Sequence, residues 1–315
     1  MPLRRSPIDA LRRSPIDALR RSPIDALRLA TWIARLTWAA LVVAEGPLIA
    51  EALRDASGPV QLVGTIGAWA GWTLGLGLLL VPSPTTLTAC RLLAPGAAVV
   101  ALVATTREVG AVAAAVGVAA ALVACFAAFV AEVGEAFVQA GAYGAERRFP
   151  LRPPGPLVVS LLPIGWLVAA GGLLGGPLLL AARAWVAGVA LTALGAVWGW
   201  IYAPRCHRLT RRFAVFVPAG FVLHDHTVFA DTAMFRASTV RSLRLAPADS
   251  EAADATGAAF GLAVELGLAE ANTVVLAATR ANPTGTALHV SSLLFTPSRP
   301  GRLLAAAAER GWTMS

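Results

Sequence analysis

Few residues have the type and spacing to do chemistry, and most of them lie in or beside long apolar runs. Glu45, in Ala44-Glu-Gly-Pro47, is the only charged residue between Arg35 and Glu51. An ionisable group in such a run is costly, and this makes it a candidate proton or substrate site. Gly46 and Pro47 weaken the helix beside it. The competing reading places Glu45 one turn from the outer end of its helix, hydrated there or paired with Arg107 or Arg183. Glu132 and Glu135 are three apart, so they share one helix face and could ligate a metal or relay a proton. A metal site in a helical bundle would normally add a histidine in a Glu-x-x-His pair. No apolar stretch contains one, so solvation at a membrane interface is the expected state of this pair.

His224 and His226 flank Asp225 and would share one strand face. A metal needs three or four ligands, and only His207 and His289 remain. A hairpin tip facing water is therefore expected. Cys90, Cys125 and Cys206 show no metal-type spacing and read as small packing residues. There is no His-Glu-x-x-His, Gly-x-Ser-x-Gly, phosphate-loop or Cys-x-x-Cys pattern. The expectation is a protein that is not an enzyme, with no catalytic, cofactor-binding or metal residue assigned.

Composition says where these residues must sit. The chain has 315 residues, 57% of them hydrophobic and 14% charged, with a mean hydropathy of +0.68. A water-soluble domain carries roughly 25% charged residues. Apolar stretches fall at about 29–50, 60–81, 87–106, 109–131, 157–181 and 184–203, each near the about 20 residues that a bilayer core requires. Six spans are expected, with a re-entrant pair as the alternative at the two tight turns, Arg107-Glu108 and Arg183. Gly67, Gly71 and Gly75 recur every fourth residue and offer a helix-packing face. Gly171 with Gly175, Gly172 with Gly176, and Gly195 with Gly199 repeat the pattern.

All 26 basic residues are arginine, and the net charge is +8. Residues 3–26 are three copies of Leu-Arg-Arg-Ser-Pro-Ile-Asp-Ala, read as a disordered basic arm over 1–28 because each copy carries a helix-breaking proline. With the N-terminus inside, one side receives this arm, Arg91, Arg147, Arg148, Arg152 and the junction arginines Arg205, Arg208, Arg211 and Arg212. The other side receives only Arg54, Arg107 and Arg183. This asymmetry satisfies the positive-inside rule and predicts cytoplasmic termini in a plasma-membrane protein. The junction arginines are assigned to anionic lipid headgroups, and Arg91 is expected to snorkel to the same layer. No arginine patch interleaved with exposed aromatics appears, so nucleic acid is not an expected partner. Membrane lipids are, and so is a protein bound by the C-terminal part. The abundance of Ala, Gly and Pro points to a high-G+C bacterial genome.

After Arg212 the pattern changes to short β-type runs at 213–217, 220–224, 227–230, 233–236, 239–245, 260–268, 273–278 and 288–296. Turn-rich stretches such as Ala281-Asn-Pro-Thr-Gly285 separate them. A helix follows over 302–310, with Ser298 as its expected N-cap and Pro300 in the first turn. The opening Arg212-Phe-Ala-Val-Phe-Val-Pro-Ala-Gly-Phe-Val-Leu-His224 and the ending Val290-Ser-Ser-Leu-Leu-Phe-Thr-Pro-Ser-Arg-Pro-Gly301 resemble the first hairpin and the closing strand and helix of bacterial PH-like domains. The pairing of spans with such a domain resembles actinobacterial membrane proteins of that architecture. The resemblance covers the last third of the chain and implies a fold, while PH-like domains bind peptides, lipids or each other. The expected organisation is an α+β membrane protein: an arm at 1–28, a helical bundle at 29–204 and a cytoplasmic PH-like domain at 205–315. Its expected role is a membrane-anchored adaptor or scaffold, with a small-molecule or ion transporter or channel as the alternative.

Overall fold

Why the chain forms long helices follows from uninterrupted apolar stretches that satisfy their own backbone groups. A computed structural model describes residues 23–278 and 285–312. The repeat arm up to residue 22 and most of the Ala281-Asn-Pro-Thr-Gly285 turn lie outside the described residues. Helix α1 (Pro23–Ala44) starts inside the third repeat, so the arm expected over 1–28 is already helical from residue 23. Asp25 lies in the first described turn, where a negative charge suits the helix dipole. After a break at Glu45, α2 (Gly46–Leu53) continues the same span. Next come α3 (Gly58–Leu80), α4 (Pro84–Ala104), α5 (Ala111–Phe129) and the short α6 (Ala131–Gln139). The fifth span joins two π-type turns, 157–161 and 171–175, to α7 (Leu162–Ala170) and α8 (Gly176–Ala181). The sixth is α9 (Trp185–Thr210).

Among the described residues, six helices are thus long and apolar enough to cross a membrane. Both tight connections join full-length helices rather than re-entrant halves. The second of them turns at Arg183, whose φ is 63°. The sixth helix runs past the apolar stretch ending at 203 to Thr210 and so carries His207 in its last turn.

Two four-stranded sheets follow. The first, in order β1-β2-β3-β4, comprises Arg147–Pro150, Phe213–Val217, Gly220–His224 and Ala233–Arg236. The second, in order β5-β7-β8-β6, comprises Val240–Leu245, Val264–Leu276, Thr286–Phe295 and Ala253–Asp254. All pairings are antiparallel except β6 with β8. The expected strands 260–268 and 273–278 are one strand, β7, whose pairing with β8 is irregular between Gly267 and Asn272. The expected strand at 227–230 reduces to a single bridge, Phe229 with Leu276. The closing helix α10 (Pro300–Ala308) has Arg299 rather than Ser298 at its N-cap. Ser298 instead donates its backbone N–H to Pro150 O at 2.8 Å.

Strand β1 comes from the connection between the fourth and fifth spans, a stretch assigned by sequence to the bundle. It pairs with β2 from Arg147↔Phe216 to Pro150↔Phe213. Further backbone bonds tie its continuation into the sheets: Leu151 to Arg212 O at 3.0 Å, Arg152 to Thr296 O at 2.8 Å and Gly155 to Ala258 O at 3.0 Å. The sheet region is therefore built from both sides of the last helical hairpin. Phe149, Phe216, Phe221, Phe235, Phe295 and Leu303 are buried in its core. The Trp312 ring closes over Phe216 at 5.3 Å.

Candidate functional site

Glu45 sits in the gap between α1 and α2 with a helical backbone (φ −95°, ψ −28°) and caps nothing with its side chain. The helix breaks here because Pro47 has no N–H for the carbonyl four residues back, that of Val43, and Gly46 adds flexibility. The span then resumes to Leu53, where Glu51 accepts the Gly110 N–H at 2.7 Å. Glu45 thus lies nine residues short of Arg54, roughly 13 Å at 1.5 Å per residue. That is deeper than the single turn expected. It is 5% exposed, and among the described residues its carboxyl makes no ion pair or side-chain hydrogen bond. Arg107 and Arg183 do not reach it. Span four presses against the break through Gly117, where a Cβ would come within 2.8 Å of Leu48 and 3.4 Å of Ala44 O.

Glu132 and Glu135 share a face of α6, as their spacing requires, but they are paired with arginines rather than simply solvated. Glu132 pairs with Arg299 and Glu135 with Arg302, both at the start of α10. Arg302 donates to Glu135 Oε1 from Nε at 3.1 Å and from its terminal nitrogen at 2.9 Å. Two more contacts extend the seam: Arg147 to Glu309 at 2.6 Å and Arg310 to Ala145 O at 3.2 Å. Burial would raise the Glu132 carboxyl, but the Arg299 hydrogen bond and the positive charges outweigh it and hold it below the usual range. For the more enclosed Glu135, burial outweighs the Arg302 bond and pushes the carboxyl up. Sequence reasoning missed Arg299 and Arg302. Their own spacing of three matches that of the glutamates and was the one signal available.

The junction arginines divide. Arg205, Arg208 and Arg211 are exposed, and Arg205 bonds back to Ile201 O at 2.6 Å. Arg212 is no headgroup contact: it is buried and clamps Asp225 with bonds of 2.7 and 2.6 Å. Its third donor reaches Arg152 O at 2.7 Å. The exposed Arg211 and the buried Arg212 are adjacent in the chain, and it is the partners of Arg212 that set them apart.

His224 stacks on Phe213 at 4.8 Å, with His226 against it at 4.2 Å. Burial first, then the charges of His226, Arg211 and Arg148, push His224 down to about 4, opposed by Asp225. Asp225 is committed to Arg212 and to Thr227, and among the described residues no group of three or more His, Cys, Asp or Glu could hold a metal ion. Arg91 does not snorkel freely. Its Nε faces Ala128 O at 3.4 Å, and a Cβ at Gly134 would meet its guanidinium at 2.7 Å.

Of the tandem glycines, only Gly75 makes a close contact, receiving the Trp38 ring where a Cβ would sit 2.2 Å away. Trp38 and Trp72 exchange indole N–H bonds to each other's carbonyls at 2.9 and 3.2 Å. Gly67 and Gly71 have nothing within 4 Å. Backbone meets backbone in the last hairpin, where a Cβ on Gly172 would lie 2.4 Å from the Gly195 Cα. Comparison with protein-family models, curated proteins and solved structures finds no match for this chain.

Proposed function

We propose that this chain is a non-enzymatic adaptor of the bacterial plasma membrane, with both termini cytoplasmic, whose PH-like domain binds a protein partner at the membrane surface. The observation that carries this reading is the way the sheets are fastened to the helices. Strand β1 enters from the fourth-to-fifth connection, and the seam from Glu132–Arg299 to Arg147–Glu309 holds α10 against the bundle. A domain held at several points along one face presents its other surfaces at a fixed distance and angle to the bilayer, which suits an adaptor. The two four-stranded sheets and the closing helix support the PH-like reading. The arginine asymmetry supports the orientation, and the exposed Arg205, Arg208 and Arg211 would lie at the anionic headgroup layer.

Because β2 relies on β1, a fragment starting at 205 would expose a bare sheet edge, so the test uses the full chain. A photo-crosslinking side chain is placed at the exposed Met234 or Phe260, and separately at Trp69 in the second span, in native-host cells. One reproducible protein captured from the sheet positions is the expected result. Capture through Trp69 alone, or none from the sheets, would sink the adaptor reading. A second reading, transport of a small molecule or ion with the sheets regulatory, draws on one observation, the enclosed Glu45.

A further inference from the structure

A carboxylate in an apolar interior needs a counter-charge, since the cost of burying the ion alone is several kcal/mol even after relaxation. The other buried acids among the described residues have one. Asp225 has Arg212, Glu265 has Arg244 at 3.1 Å and Glu135 has Arg302. Glu45 has none. Helix α2 packs on α3, α4 and α5, and α3 and α5 contain no charged residue. The only charge on α4 is Arg91, which lies toward the opposite end from Ala104 and faces Ala128 O. The thiols there are Cys90, on α4, and Cys125, on α5. On α1, Asp25 and Arg28 lie in the first two turns, and Arg35 is taken up by Leu79 O at 3.0 Å. Glu51, Arg54, Asp55, Arg107 and Glu108 lie at the far end of the span, with Glu51 capping Gly110. No titratable or charged side chain of the described residues pairs with Glu45.

The backbone beside it is also unusual. Pro47 deprives the Val43 carbonyl of its helical donor, so an oxygen without its helical partner and a carboxyl stand two residues apart at a helix break. We propose that Glu45 is a reversible binding site for a small monovalent cation, a proton or an alkali ion, exchanged through the break at Ala44–Pro47. The carboxyl and the cation neutralise one another while enclosed. On release the cation passes to water, and the carboxylate is hydrated by local opening of the break. This reading is independent of the adaptor role of the sheets.

The test uses full-length protein in phosphatidylcholine vesicles and dicyclohexylcarbodiimide, an apolar reagent for protonated carboxyls. The carboxyl oxygen adds to the central carbodiimide carbon and its proton passes to a nitrogen. Acyl migration to nitrogen then leaves a stable N-acylurea containing every atom of both reactants. Peptide mass spectrometry locates it. Label is expected on Glu45, absent in Glu45→Gln, and falling roughly tenfold per unit of alkaline pH. At constant pH and ionic strength, exchanging choline for sodium distinguishes the sources: protection identifies an alkali ion, and its absence a proton. Pro47→Ala, which restores the missing donor and lets the helix run through, is expected to slow labelling. A folded wild-type sample with no label on Glu45 would overturn the proposal. So would a label indifferent to both pH and sodium, which would mark a permanently neutral packing group. Unchanged labelling in Pro47→Ala would remove the break as the exchange route.

Discussion

The two regions of this protein are packed by opposite means. The sheet region buries phenylalanines and leucines around one centre with the half-buried Trp312 packed on them, and its buried charges meet in matched pairs. The bundle core is largely alanine, with leucines and a few aromatics, and its last hairpin closes glycine on glycine. Water drives large apolar side chains together in the first case. In the second, with lipid tails around the proposed membrane bundle as apolar as the helices themselves, close backbone approach and dispersion would hold them. Against that background a lone buried carboxyl means different things in the two regions. In the sheets it would be a defect, whereas in the bundle it marks a place where something else must bind.

The sharpest way to break the comparison is at Arg212. Removing it as Arg212→Met strands Asp225 in the core and should cost about 3–5 kcal/mol, read as a drop in the unfolding midpoint of the sheet region. Arg205→Ala and Arg208→Ala, both at exposed positions, should shift it by no more than about 0.5 kcal/mol. Equal effects would erase the distinction between core and surface arginines.

In the bundle, Gly172→Ala puts a methyl into the Gly195 backbone and should cost about 1–3 kcal/mol, seen as lost thermal stability in detergent. Gly67→Ala, with open space around it, should be neutral or slightly stabilising. At the seam the effects are smaller. Arg302→Gln should loosen α10 by about 1–2 kcal/mol, and Arg299→Gln, at a half-exposed pair, by about 0–1 kcal/mol. Hydrogen exchange of α10 amides would rank the two.

The dependence of stability on pH sharpens the contrast within the seam. Glu132 is held below its ordinary 4.5, so its contribution is present above that value and lost as pH falls through the lower folded one. Glu135 is pushed above 4.5, so its contribution is complete below that value and lost as pH rises through the higher folded one. Stability against pH should therefore lose slopes of opposite sign in Glu132→Gln and Glu135→Gln. Matching slopes would refute the assignment. His224, pushed down to about 4, adds stability above 6.5 that is lost as pH falls toward 4, and His224→Asn should flatten that acid limb.

What the amino-acid sequence determined by itself is everything written in local pattern. Hydropathy over about 20 residues placed six helices, since a helix satisfies its own backbone wherever it sits. Alternation and turn residues placed β2, β3, β4, β5 and β8 within a residue or two. Tertiary structure alone decided which distant groups meet. Glu135 finds Arg302 across 167 positions, and β1 leaves the span connection to complete a sheet begun 63 residues later, at Phe213. Arg212 belongs to the core and Arg211 to the surface because Asp225 and the Arg152 carbonyl, 13 and 60 positions away, hold the Arg212 guanidinium. The depth of Glu45 was misjudged for a related reason. Where a helix ends is set by what caps it, and here Glu51 carries the span on to meet Gly110, a contact 59 residues apart that no local window contains.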